Sequence, residues 1–284
     1  MDSKNSFSAL KFIRFFCILL VIFLSLIGCT NSDTNKLIYT QFDLNGAESA
    51  LIQFEHTSLL IDCGYDYSFF DISIELDKRN IQKLDYFILT HPHQDHSGCA
   101  TKIIQHYSPA FIILPKTATF LNSFDDIKKV ATKHGIQVLE LGATDQLSFG
   151  PLIVNILAPH NEIYALTNNH SLVMKLNYKD TSFLLAGDAE LISEFEIMNS
   201  AYNLNSDVLK VAHHGSISST STEFANAVSP SIAILSVPHD NPKAPNAETI
   251  SILKQNGASI FRTDKHGNIT VITDGLTLEV TTEK

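Results

Sequence analysis

The sequence predicts one mixed α/β domain. Three observations lead there. Short apolar runs of strand length recur from Leu37 to Val280. Between them lie longer stretches whose apolar residues recur at helical spacing. Several apolar runs also end abruptly in Asp, His or Gly, so that reactive side chains are delivered at strand ends. The part beyond residue 36 has about 250 residues, within reach of one domain.

The elements follow in order. Residues 37–42, 50–54 and 58–62 read as successive strands joined by tight turns. Residues 71–78 suit a helix, 85–89 a buried strand, 100–106 a helix after Gly98, and 111–114 a strand. Residues 124–134 are helical and close at Gly135. Strands are expected at 136–140, 146–149, 152–158, 172–176 and 182–186, then a helix at 191–199. A strand at 208–212 ends at His213-His214. A helix at 222–227, a strand at 232–237 and a helix at 247–255 lead to terminal strands at 259–262, 268–273 and 276–280. There is no internal repeat, low-complexity segment or Pro/Gly linker.

The first 28 residues read as a lipoprotein signal peptide. Lys4, Lys11 and Arg14 form a positive n-region, Phe12 to Ile27 is almost wholly apolar, and Leu26-Ile27-Gly28-Cys29 resembles a lipobox. An uncleaved membrane anchor is the alternative. Either way the rest is expected outside the cytoplasm; the lipoprotein reading holds it to a bacterial membrane through lipid on Cys29. Residues 29–36 are a polar tether and residues 37–284 the domain. Without residues 1–28 the chain has 17 basic and 29 acidic residues, formally −12. Such a surface does not attract polyanions in general, so contact with DNA would have to be local. Cys63 and Cys99 remain in the mature chain. Two cysteines make no framework, although an oxidising compartment would allow them to pair. Cys99 reads as a small buried residue rather than a stray ligand.

The chemistry concentrates in Thr90-His91-Pro92-His93-Gln94-Asp95-His96-Ser97-Gly98, directly after the apolar run 85–89. Three imidazoles and a carboxylate within six residues are donors that zinc-class ions favour. His91 and His93, two apart, reach one ion from an extended loop, whereas Asp95 and His96 diverge and suit a second. Two such ions make a hydrolytic site. The bland alternative is a solvated histidine-rich turn.

His91-x-His93-x-Asp95-His96 after a strand resembles the signature of the metallo-β-lactamase superfamily of binuclear hydrolases. That resemblance implies a four-layer αββα sandwich. It implies that Asp62, in Ile61-Asp62-Cys63-Gly64, orients the metal loop from beneath. Asp188, ending the run 182–188 in Gly-Asp, would bridge both metals, and His214, before Gly215, would be the last ligand of the second. His213 is either that ligand or a donor of a proton to the leaving group. His170 is a tentative ligand of the first metal. The expected cofactors are thus two Zn2+ ions, with Mn2+ the alternative, on His91, His93, Asp95, His96, Asp188, His214 and His170, with Asp95, Asp188 and His213 carrying the catalysis.

A narrower resemblance runs from about Leu37 to the end. Asn168-Asn169-His170-Ser171, Gly187-Asp188-Ala189-Glu190, Lys210-Val211-Ala212-His213-His214-Gly215-Ser216 and Arg262-Thr263-Asp264 are similar to the secreted hydrolase domains typified by the C-terminal domain of the ComEC DNA-uptake channel. The chain departs from them in Asp43-Leu44-Asn45-Gly46-Ala47-Glu48, where the relatives begin Asp-Val-Gly-Gln-Gly-Asp. It departs again at Lys243-Ala244-Pro245, where many have Gly-His-Pro and where His239 is a nearby substitute. The expectation is an extracytoplasmic phosphodiesterase or nuclease acting through a metal-bridged hydroxide, with extracellular DNA as one partner. The alternatives are a hydrolase of a small ester, lactone or lipid-head-group phosphodiester, or a DNA-uptake accessory without turnover. His56, His106, His134, His160 and His266 lack motif context and are expected at the surface.

Overall fold

Side-chain alternation along a strand sends neighbouring residues to opposite faces. The central strands of this protein's sheets are apolar on both faces, so they need cover on both sides. The computed structural model describes residues 36–117 and 124–284. The expected signal segment, Cys29 and nearly all of the tether lie outside these residues. Among the described residues no helix is long and apolar enough to cross a membrane.

The strands are β1 (Leu37–Gln41), β2 (Ala50–Phe54), β3 (Thr57–Ile61), β4 (Tyr86–Ile88), β5 (Phe111–Pro115), β6 (Gln137–Leu141), β7 (Gln146–Phe149), β8 (Leu152–Ala158), β9 (Val173–Tyr178), β10 (Thr181–Leu185), β11 (Val208–Lys210), β12 (Ile232–Leu235), β13 (Ser259–Arg262), β14 (Ile269–Thr273) and β15 (Leu278–Thr282). They form two sheets, ordered β15-β14-β1-β2-β3-β4-β5-β6 and β13-β12-β11-β10-β9-β8-β7. In each sheet an antiparallel meander gives way to a parallel part, from β3 to β6 in the first and from β10 to β13 in the second.

Helices α1 (Phe69–Lys78), α2 (Ala100–Tyr107) and α3 (Asp125–Lys133) cover the first sheet; α4 (Leu191–Met198), α5 (Thr222–Val228) and α6 (Ala247–Gln255) cover the second. Alternation divides the cores cleanly. Ile61, Ile88, Ile113, Phe183, Leu185 and Val208 point between the sheets. Leu60, Phe87 and Ile112 meet the first helical layer, Leu184 and Leu209 the second. The architecture is the expected αββα sandwich.

Differences from the expected elements have local causes. The strand expected at 208–212 stops at Lys210, because His213 (φ 47°), His214 (φ 54°) and Gly215 (φ 77°) are successively left-handed. The last strand starts two residues late because the Asp274 carboxylate accepts the N–H groups of Leu276 and Thr277 and prolongs the turn. Gln94–Ser97 and Thr167–His170 form single helical turns that periodicity could not reveal.

The parallel strands end at one edge of the sandwich, where open α/β sheets present ligand sites. The loops of the two sheets are sewn together there. Leu172 N–H donates to Thr90 O (3.0 Å), and Ser236 Oγ to Ala47 O (2.9 Å). Gly98 lets the His91–Gly98 loop lie against the loop after β3. Its N–H donates to Gly64 O (2.8 Å), and an added Cβ would sit 2.7 Å from Asp66 N and 2.8 Å from Tyr65 C. Backbone cannot yield as a flexible side chain does. Gly98→Ala is therefore expected to destabilise the metal-free protein by about 1–3 kcal/mol, read from urea unfolding; an unchanged midpoint would show that the loop relaxes freely.

Candidate metal centre

Four strand ends and one strand start deliver the site. His91 follows β4 and is wholly buried; its Nε2 lies 3.0 Å from His93 Nδ1 and 3.8 Å from Asp188 Oδ2. His93 is exposed. His91, His93 and Asp188 bring their donor atoms within 4.8 Å of one another. Asp95, His96, Asp188 and His214 form a second such group. Within it, His96 Nε2 is 3.3 Å from Asp188 Oδ1, and His214 Nε2 is 3.3 Å from Asp95 Oδ2 and 3.9 Å from Asp188 Oδ2. Asp188 belongs to both groups.

The surrounding residues fix these donors. Asp62 lies beneath the loop as expected. Its Oδ1 accepts Thr90 N–H (2.8 Å); its Oδ2 accepts Thr90 Oγ1–H (2.7 Å) and pairs with His96 Nδ1 (2.8 Å). That partner leaves His96 Nε2 to face Asp188. His214 is held in the same way, with Nδ1 3.2 Å from Ser236 O. The Asn168–Ser171 motif holds the Asp188 turn. Ser171 Oγ accepts Asp188 N–H (3.1 Å), while Asn169 Oδ1 accepts Glu190 N–H (3.1 Å) and Ser193 Oγ–H (3.1 Å) at the start of α4. Gly187, with φ 53°, passes so close to Ser171 that an added Cβ would lie 3.0 Å from its Cβ.

Burial and charge oppose one another here. Burial alone would raise the Asp188 carboxyl, but His96, His214 and His91 hold it well below the usual carboxylate range. Burial disfavours the His96 imidazolium, yet Asp188 and Asp62 raise it well above its ordinary value. His214 is also raised, burial being outweighed by the Asp188 carboxylate and by that of Asp95, 3.3 Å from its Nε2. Asp95 falls to about 2 despite burial, through His214 and His96. His91 goes the other way, driven down first by burial and then by His96. Both shifts favour a positive charge on His96 and His214 beside the buried Asp188 carboxylate.

Other anticipated residues lie outside both groups. His170 is buried, but its Nε2 accepts Tyr164 N–H (3.2 Å) and its ring meets Tyr164 edge-on at 5.1 Å. The expectation that it reaches the first ion is not what the geometry shows. Of the adjacent pair, His214 joins the donors and His213 does not. His213 Nδ1 instead lies 3.1 Å from Ser218 Oγ and 3.3 Å from Glu190 Oε1. Cys99 Sγ–H donates to Cys63 O (2.8 Å), and both thiols are free and buried. His239 pairs with Asp43 (2.8 Å) and takes no place among the donors. His56, His106, His134 and His160 are exposed, whereas His266 is half-buried with Nδ1 2.9 Å from Arg262 O.

The sequence reading missed Thr90, Glu48, Lys210 and Glu190 as supports. Glu48 was visible only as a departure from a familiar motif; its buried contact with Lys210, 2.8 Å away on the other sheet, has no signature in local sequence. A pocket of about 360 Å3 opens over the second group. Asn45, Tyr65, Asp95, His213, His214 and Lys243 are among the residues that line it.

Comparison with known proteins agrees. The family described as the metallo-beta-lactamase superfamily matches residues 44–239. The chain is 33% identical over 195 residues to ComE operon protein 3 of Bacillus subtilis, covering 68% of this chain and 25% of that protein. It is 29% identical over 189 residues to Recombination protein 2 of Haemophilus influenzae, covering 66% of this chain and 22% of that one. It thus spans about a quarter of the length of these relatives. The solved metallo-beta-lactamase fold protein YhfI from Bacillus subtilis shares the fold at TM-score 0.57 and 16% identity, over 82% of this chain and 99% of that chain. With the family match spanning the strand ends that carry two donor groups around one aspartate, this chain belongs to the metallo-beta-lactamase superfamily of metal-dependent hydrolases.

Proposed function

We propose that the protein is an extracytoplasmic phosphodiesterase that works with two divalent ions, zinc or manganese. The observation that carries this reading is Asp188, a buried carboxylate shared by two donor groups. The residues fit such ions. His96 Nε2, His214 Nε2 and Asp188 Oδ1 are buried and lack a hydrogen-bond partner, and all three belong to one group. Imidazole-rich donors favour zinc. His91, His93 and Asp188 would hold one ion; Asp95, His96, His214 and Asp188 the other. Bound there, the pair supplies Lewis acidity and a hydroxide at neutral pH.

The chain's own residues do the rest. Asp188 offsets the charge of both ions. Asp62 and the Ser236 carbonyl hold His96 and His214 with Nε2 inward. Asp95, at the pocket side of its group, orients the attacking water. His213, lining the pocket with its ring braced by Ser218 and Glu190, gives a proton to the departing oxygen. A phosphodiester substrate is supported by the similarity to a recombination protein and to the ComEC-type domain. The pocket, with Lys243 as the one Lys or Arg among its lining residues, suits a strand end or a small phosphodiester better than broad contact with a duplex. The apolar run before Gly28-Cys29 supports export and lipid attachment.

Three outcomes are expected. Metal uptake displaces the protons that Asp188 and its neighbours hold on His96 and His214. Both imidazoles are raised, so affinity for zinc should climb as pH increases from 5.5 through neutrality, with proton release seen by calorimetry in buffers of different ionisation enthalpy. Affinity that is flat across this range would contradict the assignment.

Asp188→Asn keeps shape but removes the shared charge. Turnover of a phosphodiester such as bis-p-nitrophenyl phosphate should fall about 100-fold, with bound metal dropping from two ions per chain. His170→Ala, outside the donor groups, should retain both ions. Wild-type activity in Asp188→Asn, or one ion in the active wild type, would overturn the binuclear reading.

Cys29→Ser should abolish fatty-acid labelling of the exported protein. A wild-type protein that incorporates no labelled fatty acid would remove the lipid anchor from this account.

A further inference from the structure

Glu48 is the residue through which the two halves of the site meet. Its N–H donates to Asp95 O (2.8 Å), and its carbonyl accepts Gly64 N–H (2.9 Å), so its backbone grips the loops after β4 and β3. Its side chain turns into the sandwich, where it is only 7% exposed. Oε1 accepts Gln41 Nε2–H (2.9 Å), and Oε2 lies 2.8 Å from Lys210 Nζ. Lys210 ends β11 in the other sheet, is 5% exposed, and also donates to Val211 O (3.0 Å). The same Glu48 Oε2 lies 3.9 Å from His214 Nδ1, on the side of the ring away from the donor group. A buried ion pair therefore stands directly behind a candidate ligand.

Such a pair is a poor source of stability, because desolvating two charges cancels much of their attraction. Its position gives it another use. We propose that Glu48 and Lys210 are positioning residues that set the strength of the second ion's site through His214, an inference that rests on the binuclear reading above. The Ser236 carbonyl takes the Nδ1–H of His214, and the pair behind the ring is close to neutral as a whole. The ring can then direct its Nε2 lone pair forward without a net charge behind it. Removing either partner leaves a bare charge beside that ring, and the sign of that charge decides the effect. A lone Lys210 cation opposes the binding of a dication and draws electron density from the imidazole. A lone Glu48 carboxylate does the reverse and can accept the Nδ1–H itself, as carboxylates behind metal-bound histidines do.

The test is a cobalt titration of the metal-free full chain, following the first and second binding steps by absorbance and calorimetry. Glu48→Gln preserves the backbone bonds and an acceptor for Gln41; it should weaken the second ion by about tenfold or more and leave the first within about threefold. Lys210→Met should hold or tighten the second ion. The double variant E48Q/K210M should return to within about threefold of the wild type, since neither bare charge remains. Lys210→Arg, which keeps the charge, should match the wild type. Both single variants leave a buried charge unpaired and should lower the unfolding temperature, so a merely structural role would weaken metal binding in both. Equal losses in the two single variants, or no change in second-ion affinity in either, would overturn the proposal. Should Glu48→Gln fail to fold, Lys210→Met and the double variant still decide it: a weakened second ion in Lys210→Met counts against the proposal, and a held or tightened one supports it. A wild-type chain that takes up fewer than two cobalt ions would instead sink the binuclear reading, and this inference with it.

Discussion

The Asp188 carboxylate faces three imidazoles from two loops on two different sheets, and the site depends on that balance of charge. A buried carboxylate is costly unless cations surround it, and buried imidazoliums are costly unless anions do. Here each compensates the other, with Asp62 behind His96 and Asp95 beside His214. The arrangement requires both sheets to end their parallel strands at one edge, so that His91 and His96 come from one side and Asp188 and His214 from the other. The αββα architecture meets that requirement through its topology. The two parallel halves run out at the same rim, and the loops there are joined by the Leu172–Thr90 backbone bond and the Ser236 hydroxyl on Ala47 O.

Local structure around the donors follows from the same demand. Asp62, His213, His214, Gly187 and Gly215 all have left-handed backbones. Left-handed residues other than glycine carry strain, and they gather where a chain must turn sharply to present a side chain. The short length of β11 belongs to this pattern. Its chain leaves the sheet early so that two adjacent histidines point to different tasks, one toward the donors and one toward Glu190 and Ser218.

Much of this was legible in the sequence, for reasons particular residues make plain. The apolar runs before His91, Asp188 and His213 are long enough to read as strands, and clustered donors at their ends are rare in ordinary turns. The two-sheet architecture was legible only through resemblance, since alternation cannot say which strands share a sheet. His170 looked like a ligand because it sits in a motif near others, but a motif position does not fix the direction of a ring. Its turn aims it at the Tyr164 backbone, while its neighbours Asn169 and Ser171 brace the Asp188 loop. Glu48 and Lys210, 162 positions apart in sequence, were not legible at all, because a buried ion pair between sheets has no spacing to detect.

The seam between the sheets has a bearing on how this protein can change over time. Apolar contact across the sandwich is non-directional and tolerates exchange of Ile, Val and Leu when volume is kept. Such contact does little to fix how far one sheet has slid along the other. The directional bonds at the rim, Leu172 to Thr90 and Ser236 to Ala47, do fix it, and they lie beside the donors. The interior is thus free to drift by small steps while the rim keeps the two sheets in step. Divergence in this chain should gather in the sandwich filling and the outer helices, and Ser236, whose hydroxyl makes one of these bonds, should be held as tightly as the histidines.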